Sequence, residues 1–160
     1  MIKLSTKAQS LERLSGHVQT ARVLPLLYFT KQRWSESPEN VLSEILSQEW
    51  GKQSLIVRSS AMAEDSELES MAGYFESILN VKGKKDLKNA INQVFASYKK
   101  NSTDMDEVLI QPMLKGVLRS GVAFTVDSSN GSPYRVIEWV DGDNTSAVTS
   151  GKDSKTFYCS

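Results

Sequence analysis

A chain of 160 residues is long enough for a sizeable core, and with 39% hydrophobic and 24% charged residues it is neither disordered nor collagen-like. Lysine plus arginine equals aspartate plus glutamate at 19 each, so no bulk charge draws the chain to nucleic acid or anionic membrane, and any anion site must be local. The one cysteine, Cys159, excludes an internal disulfide and cysteine-rich zinc sites.

In chain order, Ser5 and Thr6 precede Ala8, Leu11 and Leu14 at helical spacing, which predicts a helix over 7–15 with a hydroxyl cap. Lys7 falls in its first turn, where a cation opposes the helix dipole. Val23 to Phe29 reads as a strand demoted to an edge by Pro25, with Thr30 capping a short helix. Ser37, Pro38 and Glu39 start a scaffold helix whose apolar face is Val41, Leu42, Ile45, Leu46 and Trp50, ending at Gly51.

The most informative stretch runs from Leu55 to Val81. A short apolar strand, Leu55 to Val57, delivers Arg58, Ser59 and Ser60 into a loop of small residues that includes Ser70, Ala72 and Gly73, and a second strand leaves over 74–81. An arginine at a strand end suits phosphate, whose oxygens match its fork of donors, and glycine lets backbone amides approach closely. The same pattern also describes a plain β-hairpin with a surface arginine.

Lys82 to Lys85 read as a basic turn, and Leu87, Ala90, Ile91, Val94, Phe95 and Tyr98 form the clearest amphipathic helix. Its lysines read as a solvated face, because no aromatic side chains interleave with exposed basic residues there. Val108 to Met113 reads as a strand, and Gly121 to Val126 as its antiparallel neighbour across a turn at Gly116. Extended backbone with Gln111 and Met113 suits a purine edge and face, or an ordinary core hairpin. Asn130 to Pro133 form a turn, and Tyr134 to Val140 alternate as a further strand carrying Glu138. The expected fold class is α+β, a mainly antiparallel sheet with flanking helices, in a single domain over 1–160. No signal-peptide core and no run of about 18 apolar residues are present, which reads as a cytoplasmic protein.

Together, VRSSAMAED, SMAGYFESILNV, the Val-Leu-Ile-Gln-Pro-Met strand and the Ser120-Gly121-Val122-Ala123-Phe124-Thr125 strand resemble the ATP-grasp nucleotide-binding domain of the phosphoenolpyruvate synthase and pyruvate phosphate dikinase family. The resemblance spans roughly Lys7 to Lys155, in the family's order. It implies that Lys7, Arg58 and Ser59 contact ATP phosphates, that the loop with Ser70, Ala72 and Gly73 closes over them, and that Gln111 and Met113 border the adenine. It departs at Ser5-Thr6, where the family has two glycines, and at Gly142-Asp143, where Gly-Leu-Gly-Glu is expected.

The resemblance implies a front portion of the domain, with the Mg2+ ligands beyond residue 160, no complete catalytic set here and no activity alone. Its partners would be ATP and downstream phosphohistidine and acceptor-binding domains, with neither nucleic acid nor membrane. The expected function is to supply ATP-derived phosphate through that histidine to an acceptor such as pyruvate. A glutamine amide kinase of the same family and a non-catalytic interaction module are the alternatives.

Overall fold

The computed structural model describes residues 5–61, 76–98, 102–127, 129–143 and 154–160. These divide into two compact units, Met1–Met113 and Leu114–Ser160.

In the first unit, helix α1 (Lys7–Ser15) is followed by β1 (Leu27–Thr30), α2 (Lys31–Glu36), α3 (Pro38–Ser47), β2 (Leu55–Ser60), β3 (Ser77–Val81), α4 (Gly83–Ser97) and β4 (Glu107–Pro112). The sheet order is β1-β4-β2-β3, all antiparallel. As predicted, β1 is an edge strand, but it begins at Leu27 rather than Val23, because pairing starts only beyond Pro25. Thr30 ends β1 and accepts the Arg33 N–H at 3.2 Å to cap α2. Helix α3 starts at Pro38 as its sequence dictates, yet stops at Ser47, short of Gly51. Lys84 and Lys85 lie in the first turn of α4, not in a separate turn.

Strand β4 is buried at all six positions and is flanked on both edges, by β1 and by β2. It therefore offers no edge to the strand that follows it, and the expected hairpin between 108–113 and 121–126 does not form. The β2–β3 hairpin carries a bulge, since Leu55 pairs with Val81 but Val57 with Ile78. Asn80 absorbs the extra residue in the left-handed region, with φ 59°, which asparagine tolerates better than most residues.

Side chains alternate across this sheet. One face carries Phe29, Leu55, Val57, Val81, Val108 and Ile110 into the core, where Val41, Leu42 and Ile45 of α3 and Leu87, Ile91 and Val94 of α4 cover it. Each of these larger side chains contributes about 1.5–3 kcal/mol on full burial, so this face carries most of the unit's cohesion. An aromatic file runs through it: Phe29 lies 5.8 Å from Trp34 and 6.2 Å from Phe95, and Phe95 lies 5.8 Å edge-on from Tyr98. The other face carries Tyr28, Glu107, Leu109, Gln111, Ile56, Arg58 and Ser60, and it meets α1.

The second unit is a three-stranded antiparallel sheet, β5 (Arg119–Phe124), β6 (Arg135–Asp141) and β7 (Lys155–Cys159), in the order β5-β6-β7. Strand β7 was not anticipated from sequence. Gly121 faces Trp139 across β5 and β6, and a Cβ there would lie 2.5 Å from the Glu138 carbonyl oxygen, so the glycine of the Ser-Gly-Val stretch is set by close strand approach. Val136 and Val140 are buried, whereas Phe124, Ile137, Phe157 and Tyr158 are exposed.

Candidate functional site

The site is assembled where the first turn of α1 meets the ends of β2 and β4. Thr6 is the N-cap, its Oγ1 accepting the Gln9 N–H at 3.3 Å. The same hydroxyl donates to Oε2 of Glu107 at 2.6 Å, and Gln9 Nε2 donates to Oε1 of Glu107 at 2.7 Å. The main-chain N–H of Ala8 donates to Ser60 Oγ at 2.9 Å. Thr6, Ala8 and Gln9 are thus each tied to the sheet. Lys7 Nζ itself reaches the main-chain carbonyl oxygen of Ser59 at 3.4 Å.

Arg58 projects from the middle of β2 on this face, opposite Leu109 of β4 and Ser77 of β3. Its Nε is buried with no hydrogen-bond acceptor among the described residues. A buried guanidinium donor without a partner costs free energy unless an anion supplies the acceptor. Lys7 and Arg58, which lie 51 positions apart in sequence, are thereby brought to neighbouring positions of β2, Lys7 through the carbonyl of the residue that follows Arg58.

The remaining predicted site residues fall as follows. Ser59 is buried with its side chain on the opposite face of β2, so its contribution here is the carbonyl that meets Lys7. Gln111 is buried on the Arg58 face and pairs with Ile56, one row of side chains further along β4. Met113 lies just past the strand end, its N–H donating to the Ser54 carbonyl at 2.8 Å. It does not join the Lys7–Arg58 cluster. Ser70, Ala72 and Gly73 lie outside the described residues.

Two residues that sequence reasoning missed hold the cluster together. Glu107 is only 4% exposed, and its sequence signal is a carboxylate opening an otherwise apolar strand, which must find partners when buried. Helical spacing alone places Tyr98 on the apolar face that continues α4. Its hydroxyl accepts the Ser60 N–H at 3.1 Å and donates to the Glu107 carbonyl, bridging the two strands where β2 leaves the sheet.

An open cavity of 420 Å³ lined by Glu12, Leu26, Leu27, Tyr28, Glu44 and Gln48 lies beside β1. Tyr28 donates to Glu12 Oε2 at 2.7 Å. That hydrogen bond, with burial and the Glu12 charge, pushes the phenol up to about 12. None of these residues belongs to the Lys7–Arg58 cluster. Among the described residues no three histidine, cysteine or acidic side chains converge as a metal set, and no helix is long and apolar enough to cross a membrane. A buried arginine nitrogen without an acceptor among the described residues, on the sheet face where Lys7 reaches the Ser59 carbonyl, fits a phosphate.

Residues 29–159 match the family model described as pyruvate phosphate dikinase, AMP/ATP-binding domain. The chain belongs to this family. As a member of the pyruvate phosphate dikinase AMP/ATP-binding family it is a nucleotide-binding α+β protein, as the sequence resemblance implied. Arg58, Ser59, Gln111 and Met113 fall within the matched span, while Thr6 and Lys7 precede it. Among solved structures, PH1788 from Pyrococcus horikoshii Ot3 is 18% identical with a TM-score of 0.49, over 94% of this chain and 56% of that one. Acetyl-coenzyme A synthetase 1 of Ca. Korarchaeum cryptofilum, in complex with coenzyme A, Ca-AMPCP and HgCl+, is 12% identical with a TM-score of 0.49, over 96% of this chain and 59% of that one. The chain thus spans little more than half the length of either. No curated protein matches it.

Proposed function

We propose that this family member holds the phosphates of ATP between Arg58 and the first turn of α1, as the nucleotide-binding part of a phosphotransferase. The observation that carries the reading is the buried Arg58 Nε, which has no acceptor among the described residues, on the face where Lys7 is fixed against Ser59. A phosphate oxygen would satisfy the orphaned donor, and two cations would offset the triphosphate charge. Gln111 and Met113 would border the adenine, and the segment with Ser70, Ala72 and Gly73 would close over the phosphates. Residues 1–160 would work as one nucleotide-binding domain.

In the larger reaction, ATP-derived phosphate would pass to a histidine on another domain and from there to an acceptor such as pyruvate, or to a glutamine amide. Mg2+ enters this reading only as the companion of ATP, since metal would neutralise charge between its phosphates. A non-catalytic module is the second reading. It is favoured by Thr6, which stands where the family has glycine and is committed to capping α1 and to Glu107. Both readings place the protein in the cytoplasm, independent of nucleic acid and membrane.

The test is a melting-temperature titration with ATP and magnesium. Saturation at a hundredfold excess over Kd contributes about 2.7 kcal/mol, which the Arg58→Met variant should lose. Absence of any ATP-dependent shift in the wild-type chain overturns the nucleotide-site reading.

A further inference from the structure

We propose that Glu107 is a positioning residue for Lys7: it orients the first turn of α1 so that the lysine is presented to the phosphate of a bound nucleotide. This rests on the phosphate-site reading above and adds a role for a residue that sequence and family membership leave unassigned.

The placement of Lys7 is unfavourable by itself. It is the first helical residue of α1, where the positive end of the helix dipole repels a cation, and its long side chain loses rotamer freedom when held. The adjoining residues Thr6 and Gln9 form a Thr-x-x-Gln cap, in which the fourth side chain ordinarily turns back to its own helix N-terminus. Here Gln9 Oε1 accepts from Ser5 Oγ at 2.7 Å while its Nε2 donates to Glu107. Thr6 sends its hydroxyl proton to the other Glu107 oxygen. The cap residues on both sides of Lys7 are therefore anchored on one buried carboxylate, 101 and 98 positions away in sequence.

That carboxylate does two things for the lysine. Its negative charge beside the helix N-terminus offsets the dipole. Its two oxygens, each committed to a short hydrogen bond, fix the rotation of the turn, so that Nζ projects toward the Ser59 carbonyl next to Arg58. Glu107 is itself held, because its main-chain carbonyl accepts from Tyr98 and its strand is buried on both edges. A carboxylate repels phosphate, and both Glu107 oxygens are turned to the cap residues of α1, so its role here is to hold the turn that carries Lys7.

The experiment measures ATP and adenosine affinities of the full 160-residue chain by competition with a fluorescent ATP analogue. Variants are Glu107→Gln, Thr6→Val, Thr6→Ser, Lys7→Met, Arg58→Met and the double variant Lys7→Met with Glu107→Gln. Glu107→Gln and Thr6→Val should each weaken ATP about tenfold, the scale of one charge-assisted contact, with adenosine changed less than about twofold. Thr6→Ser, which keeps the hydroxyl, should recover most of the ATP affinity, and Glu107→Gln should add nothing once Lys7 is methionine. Equal loss for ATP and adenosine, or a full Glu107→Gln effect in the Lys7→Met background, overturns the positioning role while leaving the phosphate site standing. If neither Lys7→Met nor Arg58→Met weakens ATP, the phosphate-site reading itself falls and this inference with it. Should Glu107→Gln fail to fold, the Thr6→Val and Thr6→Ser pair decides by the same criteria.

Discussion

The Tyr98 hydroxyl donates to the main-chain carbonyl of Glu107, and it also accepts the Ser60 N–H. Tyr98→Phe leaves two buried main-chain groups without this partner, each costing about 1–3 kcal/mol when unsatisfied. The variant should melt lower, by roughly 2–4 °C for each kcal/mol lost in a chain of this size. Differential scanning calorimetry reads the fall directly, and an unchanged melting temperature would mean that the bridge contributes nothing.

Arg58 makes the opposite kind of prediction. Its Nε is buried without an acceptor among the described residues, so Arg58→Met removes an unsatisfied donor while keeping much of the side-chain volume. Without nucleotide the variant should melt at or slightly above the wild-type temperature, yet show no shift on adding ATP. Stability and binding then move in different directions, a pattern that plain misfolding does not produce. Parallel thermal titrations of the two proteins check it.

Close packing sets a third expectation. A Cβ at Gly51 would stand 2.1 Å from the Ile45 carbonyl oxygen and 2.9 Å from Leu46 Cα, and main-chain atoms at the end of α3 cannot step aside as a side-chain tip can. Gly51→Ala should cost about 1–3 kcal/mol, whereas Gly16→Ala, with nothing within 4 Å, should stay within about 0.5 kcal/mol. Urea unfolding midpoints of the pair separate the two cases.

Between α3 and α4 a pH response arises at Glu39, whose carboxyl is lowered to about 2, first by its hydrogen bond from Lys84 and then by Lys88. A depressed carboxyl adds stability that is present above the ordinary value of 4.5 and is lost as pH falls through about 2. Carbon-detected NMR should find the Glu39 midpoint near the low value in wild type. Lys84→Met should move it back toward 4.5, and added salt should do the same in part, because the pair is exposed to solvent.

Helix starts and apolar faces were legible in the sequence, whereas element ends and long-range partners were not. Thr6 and Thr30 cap the helices they precede, Pro38 opens α3, and Leu87, Ala90, Ile91 and Val94 face the core, because each of these choices is decided within one or two turns of chain. The partner of β4 is different. Nearest-neighbour reasoning joins it to β5, yet burial along its whole length requires a strand on each edge, and those come from β1 and β2. Strand β7 escaped notice because Lys155 to Cys159 is short and follows a polar run. At the site, Lys7 and Arg58 carry their own chemical signature. Glu107 is recognisable as an anchor only once Thr6 and Gln9 are seen against it, since its place at the start of an apolar strand hints at burial but names no partner.

The 101-residue separation of Thr6 from Glu107 also fixes an order of events during synthesis. At about 5–20 residues per second, the first helix of a nascent chain waits roughly 5–20 s before its anchoring carboxylate is even polymerised. Strand β1 waits almost as long for β4, its one partner among the described strands. The segment that presents Lys7 is thus made well before it is secured, so a ribosome-stalled chain that stops short of residue 107 carries the lysine without the means to aim it.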